Sequence, residues 1–470
     1  MAVHEPRAEA DVVIVGGGVC GAALLFVLAR YTDLRRLVLV ERQPRLAAVN
    51  SRASSNSQTI HCGDIETNYT LAKALQVKRT AGMIGRFADL LDPAERDRCV
   101  FRTPKMVLAV GEAECATLRR RFEEFAPHFP AMELLEKEEI AAWEPRVAAG
   151  AEGGLRPEPL LAIGIRDSAT AADFEALTES FVAQALCAVA GSGRRIDLRL
   201  ATTVEGMTPV GDGFRLDLRR SGASPAAASS FEAVWAPHVV VNAGAHSLQL
   251  AQRMGFGLQY SCLPVAGSFY FTPDLLRGKV YTVQNDRLPF AALHGDPDVR
   301  APGLTRFGPT ALLLPMLERY RPASFWEFLE VLRLDGGVLA VFLQLLGVPD
   351  IRAYIIRNLL FEVPVLGRRL FLADARKIVP GLRLEDLRYA AGYGGVRPQL
   401  IDKPARRLML GEVRIEAVPG LAFNVTPSPG ATCCLGNALR DLEEIVARLK
   451  CGFDRERLER ELLEVEAVAP

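Results

Sequence analysis

The chain has 470 residues and carries 56 Lys and Arg against 56 Asp and Glu, so its formal net charge is zero. A chain without surplus basic charge is not expected to bind nucleic acid as its main partner. Hydrophobic residues make up 49% of the chain and charged residues 24%, with a mean hydropathy of +0.13, which excludes a disordered protein.

The cysteines and the N-terminus predict a reduced, cytoplasmic protein without a metal site. None of the nine cysteines belongs to a C-x-x-C motif, so neither a zinc site nor a disulfide framework is expected. The acidic N-terminal residues are not followed by the apolar segment and cleavage site of a secretion signal. No apolar run reaches the roughly 18 residues of a membrane span. At about 150 residues per domain, the length predicts two or three domains.

The first predicted elements form a nucleotide-binding turn. A predicted strand at 11–15 leads into three glycines with G-x-G-x-x-G spacing: Gly16, Gly18 and Gly21. In this pattern the glycines permit a tight turn, a close pyrophosphate and close packing of the helix that follows. A second strand at 36–40 ends at Glu41, which suits a hydrogen bond to an adenosine ribose. The pattern predicts a dinucleotide site; the alternative is a glycine turn beside a surface carboxylate.

The rest of the nucleotide domain is expected from distant segments. Residues 195–220 read as short strands, residues 237–247 as a buried strand before a glycine turn, and residues 425–438 place Gly430 before a helix. This discontinuity resembles the FAD-binding flavoproteins of the glutathione-reductase and hydroxybenzoate-hydroxylase superfamily. We therefore predict a mixed α/β (α+β) fold: a Rossmann-like, three-layer FAD domain interleaved with a substrate domain built on an antiparallel sheet with helices.

The predicted domains are both discontinuous. The FAD-binding domain takes residues 1–80, 166–259 and 386–470, and the substrate and membrane-facing domain takes residues 81–165 and 260–385. Within the second domain, residues 336–349 lack any charge over 14 positions of the apolar segment 324–348. That length suits a helix lying at a membrane surface; the alternative is a pair of core helices. Residues 221–230 are predicted as a surface loop and residues 454–466 as an amphipathic helix.

Several sequence blocks resemble one enzyme family. Residues 54–70 read SSNSQTIHCGDIETNYT, residues 392–403 read GYGGVRPQLIDK, and residues 428–432 read SPGAT. With further blocks at 103–111, 263–271, 279–296 and 306–309, the chain resembles the malate:quinone oxidoreductases, especially their shorter members.

The resemblance implies a function. It implies FAD, expected to be non-covalent, and oxidation of (S)-malate to oxaloacetate with hydride transfer from C2 to flavin N5. It also implies a membrane quinone as acceptor, a place in the tricarboxylic acid cycle, and peripheral attachment to the cytoplasmic face of the inner membrane. The first alternative is a related flavin dehydrogenase or oxidase acting on lactate or L-2-hydroxyglutarate. The second is a non-catalytic flavin-binding protein.

Oxidation of a 2-hydroxy acid requires a base, and histidine titrates near neutral pH. Within the resembling blocks, we predict His294 as proton acceptor or malate ligand, with Asp296 fixing its tautomer; the alternative is a polar turn. His61 is predicted to contact flavin or substrate, or else to be a loop histidine satisfied by its neighbours. His246 is left unassigned. Three histidines are expected to be structural: His4, His128 and His238.

Malate carries two carboxylates, which bidentate arginines can bind. Arg397 in its glycine-rich stretch is the leading predicted clamp, Arg306 the second and Lys105 a weaker candidate; the alternative for each is an ordinary ion pair. The residues expected to contact the cofactor are Gly16, Gly18, Gly21, Glu41, Arg42, Ser57, Gln58, Thr59, Val204, Gly244, Gly395, Gly430, Ala431 and Thr432.

Overall fold

The computed structural model describes residues 9–221, 232–284, 292–363, 365–409, 411–427 and 429–463. Its helices are α1 (Val19–Tyr31), α2 (Leu71–Ala88), α3 (Pro93–Cys99), α4 (Glu112–Phe125), α5 (Lys137–Trp143), α6 (Pro145–Ala148), α7 (Phe174–Val189), α8 (Ala245–Arg253), α9 (Ser324–Leu332), α10 (Gly336–Gly347), α11 (Pro349–Phe361), α12 (Leu366–Ala375), α13 (Cys434–Leu449) and α14 (Arg455–Leu462).

The strands form the sheets described below. They are β1 (Val12–Val15), β2 (Arg36–Val40), β3 (Val100–Arg102), β4 (Lys105–Val110), β5 (Glu133–Glu136), β6 (Leu160–Ile165), β7 (Ala169–Ala172), β8 (Arg195–Arg199), β9 (Thr202–Val210), β10 (Gly213–Arg220), β11 (Glu232–Ala236), β12 (His238–Val241), β13 (Tyr260–Ala266), β14 (Tyr270–Pro273), β15 (Lys279–Thr282), β16 (His294–Pro297), β17 (Leu304–Gly308), β18 (Leu312–Leu313), β19 (Arg388–Tyr389), β20 (Val396–Asp402), β21 (Arg407–Met409), β22 (Val413–Val418) and β23 (Leu421–Val425).

The nucleotide-binding layer is a six-stranded sheet in the order β22-β23-β12-β1-β2-β8, parallel except for the pair β22 and β23. Val12 and Ile14 of β1 pack in a core with helices α1, α7 and α13. Val13 and Val15 pack on the opposite face, against the antiparallel sheet of β9, β10 and β11. β1 is buried on both faces, as expected for a central parallel strand. The predicted three-layer arrangement and the mixed α/β class are confirmed.

The second large sheet has the order β19-β14-β17-β16-β15-β4-β6-β5. Its pairs are antiparallel except for β4 and β15, whose parallel register aligns Lys105 with Lys279. This pair joins the two predicted inserts, because β4 comes from one and β15 from the other. The division into domains stays a prediction, and its boundary between residues 80 and 81 falls inside the continuous helix α2.

The predicted apolar segment 324–348 is two helices, because the chain breaks between α9 and α10. The Asp335 carboxylate accepts hydrogen bonds from the Gly337 and Val338 backbone N–H groups and so starts α10. One face of α10 packs on the four-stranded sheet β18-β13-β20-β21, where Val338 and Val341 are buried. Many apolar side chains of α9 to α11 are nevertheless exposed: Trp326, Leu329, Leu339, Leu343, Leu346, Ile356, Leu359 and Leu360.

No described helix is by itself both long and apolar enough to cross a bilayer. Helices α10 and α11, which meet at 92°, satisfy the length and composition criterion only as a bent pair. The amphipathic C-terminal helix is confirmed as α14, with Leu458 and Leu462 buried; residues 464–466 of that prediction lie outside the described residues. So do His4 and residues 222–230 of the predicted surface loop.

Candidate active site

A cavity of about 570 Å³ lies where the carboxyl ends of β1, β2 and β12 meet segments from the rest of the chain. Its volume is within the roughly 300–1,000 Å³ of small-molecule and cofactor sites. Most predicted site residues line it: Gly16, Gly18, Glu41, Arg42, Ser57, Thr59, His61, Val204, Gly244, Gly395, Arg397, Gly430, Ala431 and Thr432. Gly21, Gln58, His294, Asp296 and Arg306 are not among the lining residues.

The glycine turn leaves the first turn of α1 open to the cavity. Gly16 has φ +114°, and a Cβ there would lie 2.3 Å from the Asn242 carbonyl oxygen, so no other residue fits without rearrangement. A Cβ on Gly21 would lie 1.9 Å from the Gly16 carbonyl oxygen, which explains the helix-packing role of this glycine. Gly18 begins α1 without a side chain of its own to cap the helix. The Val19 N–H donates to the Ser51 hydroxyl at 2.9 Å, and the Cys20 and Gly21 N–H groups of the same turn are left for an anion.

The opposite part of the cavity is built to hold a ribose. One Glu41 oxygen accepts a hydrogen bond from the Gly17 N–H and the other from the Gln43 N–H, each at 2.7 Å. Burial raises the pKa of Glu41, although these two backbone donors act in the opposite direction. The carboxylate is therefore fixed in place beside Val204 on the cavity wall.

An ion-pair network that the sequence did not reveal lies at the Glu41 end of the cavity. Arg42 pairs with Glu318 and Glu327, and Arg321 pairs with the same two carboxylates. His246, unassigned from the sequence, has Nε2 2.9 Å from Glu327. No sequence signal could have linked these groups, because Glu318 lies 276 positions from Arg42. Arg42 is consequently held by carboxylates at the cavity wall.

The loop that contains Ser57, Gln58 and Thr59 forms the wall at the other end. Thr432 accepts a hydrogen bond from the His61 N–H at 3.1 Å and lies 3.3 Å from the Thr59 carbonyl, joining this loop to the segment before α13. Gln58 is fully buried, and its amide donates to the Ala53 carbonyl and the Asp298 carboxylate. Gln58 thus stabilises the loop through buried hydrogen bonds and does not itself line the cavity.

Arg397 is the cation that faces the cavity without a carboxylate partner among the described residues. It lies on β20 opposite Val265 of β13 and lines the cavity. Burial lowers the pKa of its guanidinium, and the nearby hydroxyls of Tyr281 and Tyr354 act in the opposite direction. A desolvated, unneutralised guanidinium is costly unless an anion binds to it.

Arg306 has a different environment. Its side chain is fully buried, 3.1 Å from Asp298 and 3.4 Å from Asp296, and it also donates to the Asn56 carbonyl. Lys279 adds a second cation 3.1 Å from Asp296 and donates to the Thr59 hydroxyl at 2.9 Å. These residues form a neutralised buried network behind the wall. The same holds for Lys105, which lies 2.7 Å from Asp64.

His294 belongs to this buried layer. Its ring packs on Tyr281 with centroids 4.4 Å apart, and Nε2 lies 3.5 Å from Asp296. Burial lowers the pKa of His294 well below its usual value, and the charges of Lys279 and Arg306 lower it further. The ring is therefore neutral at pH 7. Its predicted role as proton acceptor stays a prediction, and so does that of Asp296 as its tautomer-fixing partner.

His61 lies at the cavity wall instead. Its Nδ1 is 2.9 Å from a carboxylate oxygen of Glu66, a buried residue that sequence reasoning missed. Within the described ranges nothing bonds to Nε2 of His61. Glu66 lies in the block 54–70 that resembles the family, five positions after His61. This short spacing was the sequence signal that could have identified the pair.

The lining residues fit FAD. The start of α1 matches a pyrophosphate, and the fixed Glu41 carboxylate matches a ribose. Gly395 and Gly430 also line the cavity. A Cβ at Gly395 would lie 2.5 Å from the Ser55 carbonyl oxygen, so this segment packs tightly behind the cavity.

Comparisons with known proteins agree with this geometry. The profile of the family described as FAD dependent oxidoreductase matches residues 11–440. The malate:quinone oxidoreductase of Helicobacter pylori is 44% identical over 97% of this chain and 98% of its own length. The "Probable malate:quinone oxidoreductase" of Campylobacter jejuni is 46% identical over 97% of this chain and 99% of its own.

Solved structures support the fold. Glycine oxidase from Geobacillus kaustophilus superimposes with a TM-score of 0.62 at 18% identity, covering 97% of this chain and 99% of that one. L-alpha-glycerophosphate oxidase from Mycoplasma pneumoniae with FAD bound gives 0.59 at 18% identity, covering 93% and 94%. The cavity and the matches together confirm FAD as the cofactor and oxidoreductase as the class of enzyme. The chain belongs to the FAD dependent oxidoreductase family and, within it, to the malate:quinone oxidoreductases.

Proposed function

We propose that this protein oxidises (S)-malate to oxaloacetate and passes the electrons to a membrane quinone. The observation that carries the proposal is Arg397, a desolvated guanidinium on the cavity wall with no carboxylate partner in the described part of the chain. A substrate carboxylate completes the pair through two parallel N–H···O bonds. The names of the relatives from Helicobacter pylori and Campylobacter jejuni support malate as that acid.

Bound FAD supplies the acceptor for a hydride from C2 of the acid. Residues of this chain then have three tasks, which are to hold the cofactor, to orient the substrate and to take its hydroxyl proton. Gly16, Gly18 and Glu41 serve the first, and Arg397 serves the second by fixing one carboxylate. For the third task we favour His61 over the buried His294, because His61 lines the cavity and His294 does not.

The exposed apolar face of α10 and α11 supports contact with a lipid bilayer. Leu343 is 61% exposed and Leu339 51%, although soluble surfaces seldom gather such side chains in one patch. The face lies close to the substrate end of the cavity, because Tyr354 of α11 interacts electrostatically with Arg397. A quinone dissolved in the bilayer would approach the flavin from this side. We propose a peripheral position on the inner face of the cytoplasmic membrane.

Two arginines near this face form ion pairs within the protein. Arg321 pairs with Glu318 and Glu327, and Arg357 pairs with Asp374. These charges are neutralised within the protein, so membrane contact rests mainly on apolar burial.

Liposome flotation tests the membrane contact. Leu343→Glu places a charge on the face and should leave the protein at the bottom of the gradient, while anaerobic reduction of its flavin by malate continues at the wild-type rate. Leu155→Glu is the matched control, because Leu155 is also exposed, at 52%, but lies outside α10 and α11. Flotation of Leu343→Glu equal to that of the control would contradict the assignment.

Anaerobic flavin bleaching tests the substrate. The holoenzyme is mixed separately with (S)-malate, L-lactate and L-2-hydroxyglutarate, and the flavin absorbance band is followed. We expect malate to bleach the band faster than the other two acids at equal concentration. Bleaching by lactate or 2-hydroxyglutarate without bleaching by malate would transfer the assignment to the alternative substrate.

A further inference from the structure

Glu66 is a buried carboxylate whose two oxygens have separate, fixed roles. Oε1 lies 2.9 Å from Nδ1 of His61, and Oε2 accepts a hydrogen bond from the Gly63 N–H, also at 2.9 Å. The residue is 7% exposed. Because both oxygens are engaged, the carboxylate has one orientation, and this orientation determines which nitrogen of His61 carries the proton.

We propose that Glu66 is a positioning residue that makes His61 the proton acceptor of the reaction, an inference that rests on the proposed oxidation of a 2-hydroxy acid. Glu66 accepts the Nδ1–H of His61, so Nε2 keeps its lone pair and is the nitrogen available to the cavity. Oxidation of the acid removes a hydride from C2, which the flavin accepts, and a proton from the hydroxyl, which Nε2 accepts. The acid thereby loses two electrons and two protons and becomes the 2-oxo acid.

The loop around Glu66 is held rigidly. Arg121 donates to the backbone carbonyls of Glu66 and Tyr69 at 2.5 and 3.0 Å. Lys105 of β4 lies 2.7 Å from Asp64 of the same loop. Such support behind a catalytic pair is what keeps it in the reactive geometry.

Charges around the pair favour an ionised Glu66. Burial would raise the pKa of Glu66, but the hydrogen bond from His61 and the charges of His61 and Lys105 hold it below its usual value. The described titratable groups that face the pair are Cys62, Asp64, Tyr69, Lys105, Tyr281 and His294. The charge of Lys105 is shared with Asp64, its ion-pair partner, so Lys105 does not serve Glu66 alone.

The pair lies at the same end of the cavity as Arg397. Tyr281 connects the two, because its phenol interacts with the charges of both Glu66 and Arg397. The Tyr281 hydroxyl is also 3.1 Å from the Thr59 hydroxyl, and Thr59 lines the cavity. An acid clamped by Arg397 would therefore occupy the same cavity that His61 lines.

Glu66→Gln is the informative substitution. The Gly63 N–H still needs an acceptor, so the new amide oxygen should turn to Gly63 and its NH₂ group should face Nδ1 of His61. Nδ1 then accepts and Nε2 carries the proton, which is the wrong tautomer for a base. We expect the rate constant of anaerobic flavin reduction to fall by about 100-fold or more, while malate affinity and FAD content stay near wild type.

A double-substitution cycle separates positioning from a general structural role. In a His61→Asn background, Glu66→Gln should cause no further loss, because Glu66 acts only through the histidine. Multiplicative losses, or near-wild-type reduction by Glu66→Gln, would overturn the proposal.

Two measurements keep the test decisive if Glu66→Gln folds poorly. Nitrogen NMR of ¹⁵N-histidine-labelled protein, with His61→Asn for assignment, should show the Nδ1–H tautomer in the wild type; an Nε2–H tautomer would refute the proposal. Imidazole should restore flavin reduction to His61→Ala, and absence of rescue counts against His61 as the base. If malate fails to reduce the wild type, the proposed function fails, and the pair is tested with whichever 2-hydroxy acid reduces the flavin.

Discussion

Replacing Arg397 by methionine removes the unpaired charge but keeps a side chain of similar length. The structure gives the magnitude: two charge-assisted hydrogen bonds, each about 1.5–3 kcal/mol, are lost from a buried site without a described substitute. At about 1.36 kcal/mol per factor of ten, a loss of about 3–6 kcal/mol lowers kcat/KM for malate by about 10²- to 10⁴-fold. Arg397→Lys keeps the charge but cannot form two parallel hydrogen bonds with a carboxylate. Its kcat/KM for malate should therefore lie between those of the wild type and Arg397→Met.

The same substitution should stabilise the protein in the absence of substrate. Wild type holds a desolvated cation that is neutralised only when an acid binds, so Arg397→Met removes that cost and should raise Tm. Malate should raise the Tm of the wild type but not that of the variant.

The assay combines steady-state kinetics, thermal unfolding and the flavin-to-protein absorbance ratio. Arg407→Met, an exposed arginine on the neighbouring strand β21, is the matched control and should leave all three unchanged. An unchanged kcat/KM in Arg397→Met, or a loss fully explained by missing FAD, would refute the reasoning.

Two further substitutions test the cofactor site and the core. Glu41→Ala removes the acceptor of the Gly17 and Gln43 N–H groups and should weaken FAD binding by about tenfold or more in a fluorescence titration; an unchanged Kd would remove Glu41 from the site. Burial, with Arg448 and Arg414, lowers the pKa of His238 to about 3, below the unfolded value of about 6.5, so its contribution to stability is present above pH 6.5 and lost as the pH falls. Wild type should therefore lose about 2 kcal/mol from this group between pH 7 and pH 5, a loss that His238→Leu avoids in chemical denaturation; equal pH dependence would contradict this.

Local sequence predicted the nucleotide-binding turn because each of its parts follows directly along the chain. The strand, the glycines, α1 and Glu41 span little more than 30 positions, and their geometry depends on nearby backbone. The discontinuous FAD domain could be inferred only through resemblance, since β8, β12 and β23 join the sheet of β1 from far along the chain.

The choice between candidate cations could not be made from the sequence. Arg306 and Arg397 both stand in blocks that resemble the family, yet Arg306 meets two aspartates while Arg397 faces the cavity. Neutralisation depends on which distant carboxylates the fold brings close, and a residue list does not contain that information. His61 and His294 differ for the same reason, because one lies on the cavity wall and the other beneath Tyr281.

The exposed face of α10 also could not be predicted from the sequence. An uncharged stretch at 336–349 fits a core helix and a surface helix equally well. The fold separates the two cases, because Val338 and Val341 of α10 are fully buried, Leu345 is partly buried, and Leu339, Leu343 and Leu346 are exposed.

The measurement that tests the central claim most directly is quinone reduction by the wild-type holoenzyme on quinone-containing liposomes with (S)-malate as the only donor. The account predicts that one oxaloacetate forms for each quinol and that oxygen is not consumed. The account would be contradicted if malate did not reduce the quinone while another 2-hydroxy acid did. It would also be contradicted if hydrogen peroxide formed in place of quinol.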